Sequence, residues 1–334
     1  MDIQLLDCTL RDGGFLNQWH FGAETIRTYL EAIQKTCVDI VECGYLRAGV
    51  PASENTTRYS AFSELPAICR DLDNSKRFVC MVDYGKFPQE AIPEYSEAGI
   101  DGIRVAFRIE DLYPACTYCE TLKAKGYQVF IQPMNISAYS ESRFSEMLNL
   151  CNHIQPFAVY LVDSFGLIWP DQLQPYISHA DELLEDGVKI GFHFHNNYHQ
   201  ALTNAVYASS LMLRHDIILD ASFCGAGRGG GNLDFFSFLA YLNRNKQTFP
   251  VEPFLKITDT SLKTFVQVTV KDNGIIPCLT AMHRCHPNYG TILTQIPNLG
   301  FTDIYRILAE VDPLQKGNYN EAYIRQLYRS YRCD

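Results

Sequence analysis

The chain has no excess of positive charge: 28 lysines and arginines stand against 38 acidic residues, a net charge of −10. Neither a nucleic acid nor an anionic membrane surface is therefore favoured as a partner, because affinity for either rests on neutralising phosphates. No run approaches the roughly eighteen apolar residues that a membrane-spanning helix requires. The opening residues Met1 to Asp7 lack a basic leader ahead of an apolar stretch, so no secretory signal is expected. The twelve cysteines are scattered, and their closest grouping, Cys116 with Cys119, has no second half. That disfavours a disulfide framework or a zinc ribbon. A reducing cytoplasm is the expected setting, with the cysteines as small buried hydrophobes. Low-complexity tracts and repeats of fixed period are missing as well.

What is present is the balance of a folded globular protein, 47% hydrophobic and 20% charged over 334 residues. Short apolar, β-branched runs alternate with longer amphipathic stretches through roughly the first 245 residues. The runs are Ile3 to Cys8, Val38 to Cys43, Arg77 to Val82, Gly102 to Phe107, Tyr127 to Gln132, Phe157 to Val162, Val188 to His193 and Ile217 to Ser222. Helices are expected between them, at Glu24 to Thr36, Pro88 to Ala98, Asp111 to Lys125, Glu141 to His153, Asp171 to Glu185 and His199 to Arg214. Eight strand-then-helix units predict an α/β protein with a (β/α)₈ TIM barrel over residues 1–250. An open doubly wound sheet would carry a GxGxxG turn after an early strand, but the turn here is Leu10-Arg11-Asp12-Gly13-Gly14. From about Val251 prolines interrupt helical segments, so a smaller helical region packed on the barrel is expected over 251–334.

In a barrel of this kind chemistry sits at the C-terminal ends of the strands. Three strand ends there are rich in polar residues that a packed core would not favour. His193 and His195, two apart on one strand, leave on the same face, while Phe192 and Phe194 take the other. With the carboxylate of Asp12 from the first strand they form a candidate site for Mn²⁺, Mg²⁺, Zn²⁺ or Fe²⁺. Arg11 is placed either to stabilise a developing oxyanion or to close an ion pair across the mouth. The loop Gly225 to Gly231 reads equally as a phosphate cradle or a tight turn. Asn232 beyond it would give an amide oxygen to the ion or cap a helix starting near Leu233. Glu42, Arg104 and Gln132 lie near strand ends, where they would orient substrate or complete an internal polar network.

Four motifs in order carry a resemblance: Asp7-Cys8-Thr9-Leu10-Arg11-Asp12-Gly13, Asp163-Ser164-Phe165-Gly166 with Pro170 behind it, His193-Phe194-His195-Asn196, and the glycine-rich run ending in Gly231-Asn232. Together they resemble the signature of the DRE-TIM metallolyase family. Its members include 4-hydroxy-2-oxovalerate aldolase, 3-hydroxy-3-methylglutaryl-CoA lyase and the isopropylmalate, citramalate and homocitrate synthases. The resemblance implies a divalent ion, Mn²⁺ or Mg²⁺, held by Asp12, His193 and His195, with Asn232 a fourth ligand used by some members. It implies a 2-oxo acid substrate polarised by that ion, with Arg11 stabilising the enolate formed on carbon–carbon cleavage. Ser164 matches a position that helps hold a pyruvate carboxylate; by itself it also reads as a helix cap.

Two departures qualify the match. The histidine that serves as base in the aldolases stands three residues after the metal-binding aspartate, where this chain has Phe15. The Glu-Gln pair of the Claisen-type synthases is replaced by Gly14-Phe15. His20 is the substitute acid/base to test, although its place between Trp19 and Phe21 also suits the barrel rim. Tyr289 matches in kind the tyrosine that the aldolases send from their helical tail to the site, against a core-packing alternative. An aldehyde dehydrogenase partner, known for the aldolases, and a homo-oligomer are carried as expectations. The leading expectation is a retro-aldol lyase acting through a pyruvate enolate. The alternatives are an acyl-CoA-dependent synthase and a barrel without catalysis.

Overall fold

The computed structural model describes residues 2–65, 76–97, 99–244, 249–262, 265, 275–297 and 299–331. Its strands are β1 (Ile3–Asp7), β2 (Ile40–Leu46), β3 (Arg58–Tyr59), β4 (Arg77–Asp83), β5 (Gly102–Phe107), β6 (Gln128–Pro133), β7 (Ala158–Asp163), β8 (Lys189–Phe194) and β9 (Ile217–Ala221). Sheet order runs β1-β9-β8-β7-β6-β5-β4-β2, and pairing of β1 with β2 closes it. Every ladder is parallel, so this is a (β/α)₈ barrel to which the two-residue β3 adds an edge on β2.

All eight expected strands form, within about two or three residues of their sequence-based limits. Side chains alternate across each strand. One set joins the large core under the helices, and the other fills the barrel with Leu6, Ile40, Val79, Phe130, Ala158, Tyr160 and Ile218. Two glycines make that filling fit. A Cβ on Gly191 would lie 2.3 Å from the Tyr160 ring, and one on Gly102 would lie 2.8 Å from the Phe130 ring. Above these apolar layers the inward positions turn polar, and the functional cavity begins there.

Two expectations about helices need correction. Pro88 to Ala98 forms only a 3₁₀ turn at Gln89–Ala91, after which Ile92 is extended (φ −93°, ψ 116°). Pro93 accounts for this, because its ring disfavours helix at the preceding residue; residue 98 lies outside the described residues. The helix expected near Leu233 is Phe235–Leu242, and its N-cap is Asp234, whose carboxylate accepts from the amides of Phe236 and Ser237. Asn232 is therefore not the cap, and its amide bonds to Asp12 instead.

The helix Glu252–Asp259 packs through Phe254 and Ile257 into the barrel's outer core. The helices from Ile275–Met282 to Glu321–Tyr331 instead share a separate cluster around Leu279, Tyr289, Leu293, Ile304 and Leu308. We propose that the junction between the two regions follows Glu252–Asp259, somewhat later than residue 250. Residues 263–264 and 266–274 lie outside the described residues. Among the described residues no helix is long and apolar enough to cross a membrane, and Cys8, Cys43, Cys80, Cys116, Cys119, Cys151 and Cys285 are buried.

Candidate metal centre

The chain leaves β1 through a braced turn. Asp7 accepts from the Thr9 amide (3.0 Å) and hydroxyl (2.6 Å) and from the Tyr29 phenol (2.6 Å), which starts the short helix Thr9–Asp12. Burial pushes the Asp7 carboxyl up to about 6 despite those bonds. The Trp19 indole N–H donates to the Arg11 carbonyl (2.7 Å), and the Thr57 hydroxyl to the Leu10 carbonyl (2.6 Å). A Cβ on Gly14 would lie 2.2 Å from the Trp19 ring, so only glycine lets the tryptophan seal this turn. Arg11 and Asp12 are thereby set at the barrel mouth.

From β8, His193 and His195 meet them. The His193 Nδ1 lies 2.8 Å from Asp220 Oδ2, and the His195 Nδ1 3.1 Å from the Asp163 carbonyl. Both acceptors call for a proton on Nδ1, which turns both Nε2 atoms toward Asp12. They lie 3.5 and 3.6 Å from Asp12 Oδ2. One ligand atom from each residue falls within 4.8 Å of the others, and all three side chains are buried. Three acceptors thus converge on one point, and His193 Nε2 has no hydrogen-bond partner there. Burial raises Asp12, but Arg11 and the two imidazoles outweigh it and hold the carboxyl well below its usual range. Burial drives His195 down to about 3, so it presents a lone pair. Burial would also lower His193, yet the nearby Asp12 carboxylate and the bond to Asp220 raise it. The residues fit a cation, since an anionic oxygen and two imidazole nitrogens need a positive partner and the rear of each imidazole is already held.

Asn232 donates from Nδ2 to Asp12 Oδ2 (2.6 Å) and to the Ala226 carbonyl (3.0 Å), leaving its buried Oδ1 without a partner. In this arrangement it orients Asp12; ligation through oxygen would require the amide to turn.

Behind the triad lies a buried ring of charge. Arg11 joins Asp12 (Nη1, 2.7 Å) to Glu42 (Nε, 2.8 Å), and Arg104 joins Glu42 (2.8 Å) to Asp220, which returns to His193. Tyr160 donates to the other oxygen of Asp220 (3.0 Å) and lies under the Arg104 guanidinium. With its amide turned so that oxygen faces Arg104, Gln132 accepts from Nε and Nη2 at 3.2 and 2.9 Å. Glu42 and Arg104 are wholly enclosed and do not reach the cavity. Of the two readings the sequence leaves for them, the geometry places them in the internal network. Asp220→Asn, which weakens the hold on His193 Nδ1, is expected to lower affinity for a divalent ion about 10–100-fold. Calorimetric titration with Mn²⁺ measures this, and unchanged affinity would rule it out.

The cavity has a volume of about 500 Å³ and is lined by Arg11, Asp12, Gln132, Ser164, His193 and His195 at its floor. Phe15, Tyr45, Asp83, Lys86, Arg108, Asp111 and Arg228 lie further out. Ser164 accepts from the Asn135 amide (2.8 Å), leaving its own proton to donate. Neither sequence candidate for acid/base work is placed here. His20 is exposed at the rim with Nδ1 against the Gln18 carbonyl (2.9 Å). Tyr289 is buried in the C-terminal cluster, its phenol donating to the Asn318 carbonyl (2.7 Å) and receiving the Asn320 amide (3.2 Å).

The structure adds residues that the sequence reading did not weigh: Asp220, Arg228, Tyr45 and Asp83. Tyr45 owes its place to an irregularity. The register of β2 against β4 shifts between Glu42 and Tyr45, at Gly44, whose φ of +148° suits glycine. The bulge brings Tyr45 into the cavity lining, although strict alternation from Glu42 would send it outward. Burial and a hydrogen bond to Asp83 push the phenol well above its ordinary range.

Comparison with known proteins bears on the family and the fold. The family model described as HMGL-like matches residues 2–267. The 4-hydroxy-2-oxovalerate aldolase 2 of Salinispora arenicola is 25% identical over 278 residues, which is 82% of this chain and 78% of that protein. Among solved structures, the N-terminal domain of a Bacteroides vulgatus protein assigned as an aldolase superposes with a TM-score of 0.76 at 24% identity, covering 91% of this chain and 99% of that one. The HMG-CoA lyase of Brucella melitensis gives a TM-score of 0.58 at 13% identity, covering 81% and 98%. At these identities the solved structures establish the fold.

Proposed function

Because the chain belongs to the HMGL-like family, whose DRE-TIM members include lyases and aldolases, we propose that it is a divalent-metal-dependent lyase cleaving or forming a 4-hydroxy-2-oxo acid through a pyruvate enolate. The observation that carries this reading is the convergence of Asp12, His193 and His195 with the Nδ1 atom of each imidazole already engaged. When bound there, Mg²⁺ or Mn²⁺ supplies Lewis-acid polarisation of the 2-oxo group. Arg11, fixed on two sides by Asp12 and Glu42, faces the same cavity and offsets the negative charge that develops as the carbon–carbon bond breaks. The Ser164 hydroxyl donates to the substrate carboxylate.

The proton of the 4-hydroxyl needs a carrier other than Phe15, His20 or Tyr289. We assign it to Tyr45 as a relay: its phenol oxygen takes the 4-hydroxyl proton as its own proton passes to the neighbouring Asp83 carboxylate. Tyr45→Phe is expected to lower kcat by about 10²–10⁴, the usual worth of a positioned acid/base group, with a much smaller change in KM. A change in kcat below about threefold would remove Tyr45 from this role.

The function is tested by proton NMR of pyruvate in D₂O with chelator-stripped protein. Exchange of the methyl protons should be absent, appear with Mg²⁺ and vanish with chelator. No exchange with either Mg²⁺ or Mn²⁺ would overturn the pyruvate enolate.

A further inference from the structure

Arg228 stands in the glycine-rich loop, which is locked in place. Asn197 Oδ1 accepts from the Gly230 amide (2.6 Å), the Gly231 amide reaches the Arg228 carbonyl (3.2 Å), and Gly229 has φ +67°. The side chain is held less well. Its guanidinium lies over the Phe15 ring, 5.2 Å from the centroid, and its buried Nε has no hydrogen-bond partner. Among the described residues no carboxylate lies within ion-pair distance of it. The side chain is half-buried, and its enclosed Nε is costly to leave without an acceptor.

The imidazole nitrogen that faces Arg228 is itself a donor. His286 Nε2 lies 3.3 Å from Arg228 Nη1, while His286 Nδ1 accepts from the Asn288 amide (3.2 Å). Accepting at Nδ1 puts the proton of a neutral imidazole on Nε2, so two N–H groups face each other. Burial, with Arg228 and Arg108 nearby, drives His286 down to about 3, which keeps it neutral. Two converging donors are satisfied together by an oxyanion. Arg228 also borders both the metal-centre cavity and a second cavity of about 490 Å³ beneath the C-terminal helices, with Phe15 the other shared wall.

Charge points the same way. Around the first cavity, four cations (Arg11, Lys86, Arg108, Arg228) face three carboxylates (Asp12, Asp83, Asp111). A divalent ion and one substrate carboxylate leave a positive excess that a second anionic group would cancel.

We propose that Arg228 seats a second anionic group, so that the 2-oxo acid handled here carries a carboxylate or phosphate on its distal half. The inference deepens the lyase reading and rests on it. Phe15 replaces the aldolase histidine at the spot where the Arg228 guanidinium stacks, so the departure from the family pattern and the anion seat fall together.

The test uses Mg²⁺-loaded protein and the aldol direction. Pyruvate is combined with glyoxylate (a carboxylate), glyceraldehyde 3-phosphate (a phosphate) or uncharged propanal. Wild type should favour at least one anionic acceptor over propanal by about tenfold or more in kcat/KM, and which one identifies the group. Arg228→Gln should collapse that ratio about tenfold or more, and Arg228→Lys should restore part of it. Preference for propanal in the wild type, or equal loss on charged and uncharged acceptors in Arg228→Gln, would overturn the proposal. If wild type fails to exchange pyruvate protons, it is the lyase reading that falls. Calorimetry with succinate and phosphoglycolate then reads the anion seat alone: binding that Arg228→Gln abolishes supports it, and no binding to wild type refutes it.

Discussion

Asp12→Asn is expected to abolish metal-dependent proton exchange and lyase turnover while leaving a folded barrel. The substitution is nearly isosteric, and Arg11 keeps its second anchor on Glu42 (2.8 Å), so the turn after β1 retains its bracing. What is lost is the one anionic oxygen that faces both Nε2 atoms. An amide in its place offers either a weakly donating oxygen or an N–H that repels a cation. Lewis-acid assistance worth several kcal/mol, at about 1.4 kcal/mol per decade, makes the expected loss on the order of 10³-fold or more. Pyruvate exchange in D₂O, with Mn²⁺ calorimetry on the same protein, measures both consequences. Full turnover in the variant would remove Asp12 from the metal centre, and lost turnover with intact metal affinity would assign it a different part.

Much of this was legible in the sequence because it depends on period and position alone. The alternation that sends His193 inward and Phe192 and Phe194 outward is a property of any strand, and Phe192 and Phe194 do stack on each other in the outer core. Runs of β-branched and apolar residues marked all eight strands, since each is buried on both faces. The remainder depended on facts that no local pattern encodes. Tyr45 sits at an outward parity and is redirected by a bulge at Gly44. Asp220 looked like one more polar residue in a strand, and only barrel closure brings it to His193 and Arg104. Tyr289 was plausible by type, but its phenol is consumed by three backbone groups of the C-terminal region. His20 follows two residues in left-handed conformation, Gln18 and Trp19, which turn the chain so that the indole goes inward and the imidazole outward. Arg228 stands inside a glycine run, whose pattern speaks for the backbone and not for the one side chain within it.

The buried ring explains why the cavity floor is rigid and yields the second large effect. Arg104 is fully enclosed between Glu42 and Asp220, carboxylates contributed by strands on opposite sides of the barrel closure. Arg104→Met keeps much of the volume but leaves both carboxylates in a low-dielectric interior without their shared counter-charge. Breaking a buried ion pair by removing one partner costs about 3–5 kcal/mol, and here one guanidinium serves two anions. A loss in that range or above is expected in urea unfolding followed by circular dichroism. Arg104→Met combined with Glu42→Gln should lose less than the sum of the single changes, because the second removes a charge that the first has left with Arg11 alone. A loss below about 1 kcal/mol in the single variant would mean that solvent reaches the ring. The same substitution should weaken Mn²⁺ binding, since Asp220 then holds His193 while held only by the Tyr160 hydroxyl. Stability of the barrel interior and affinity at its mouth are therefore coupled through one side chain that touches neither substrate nor solvent.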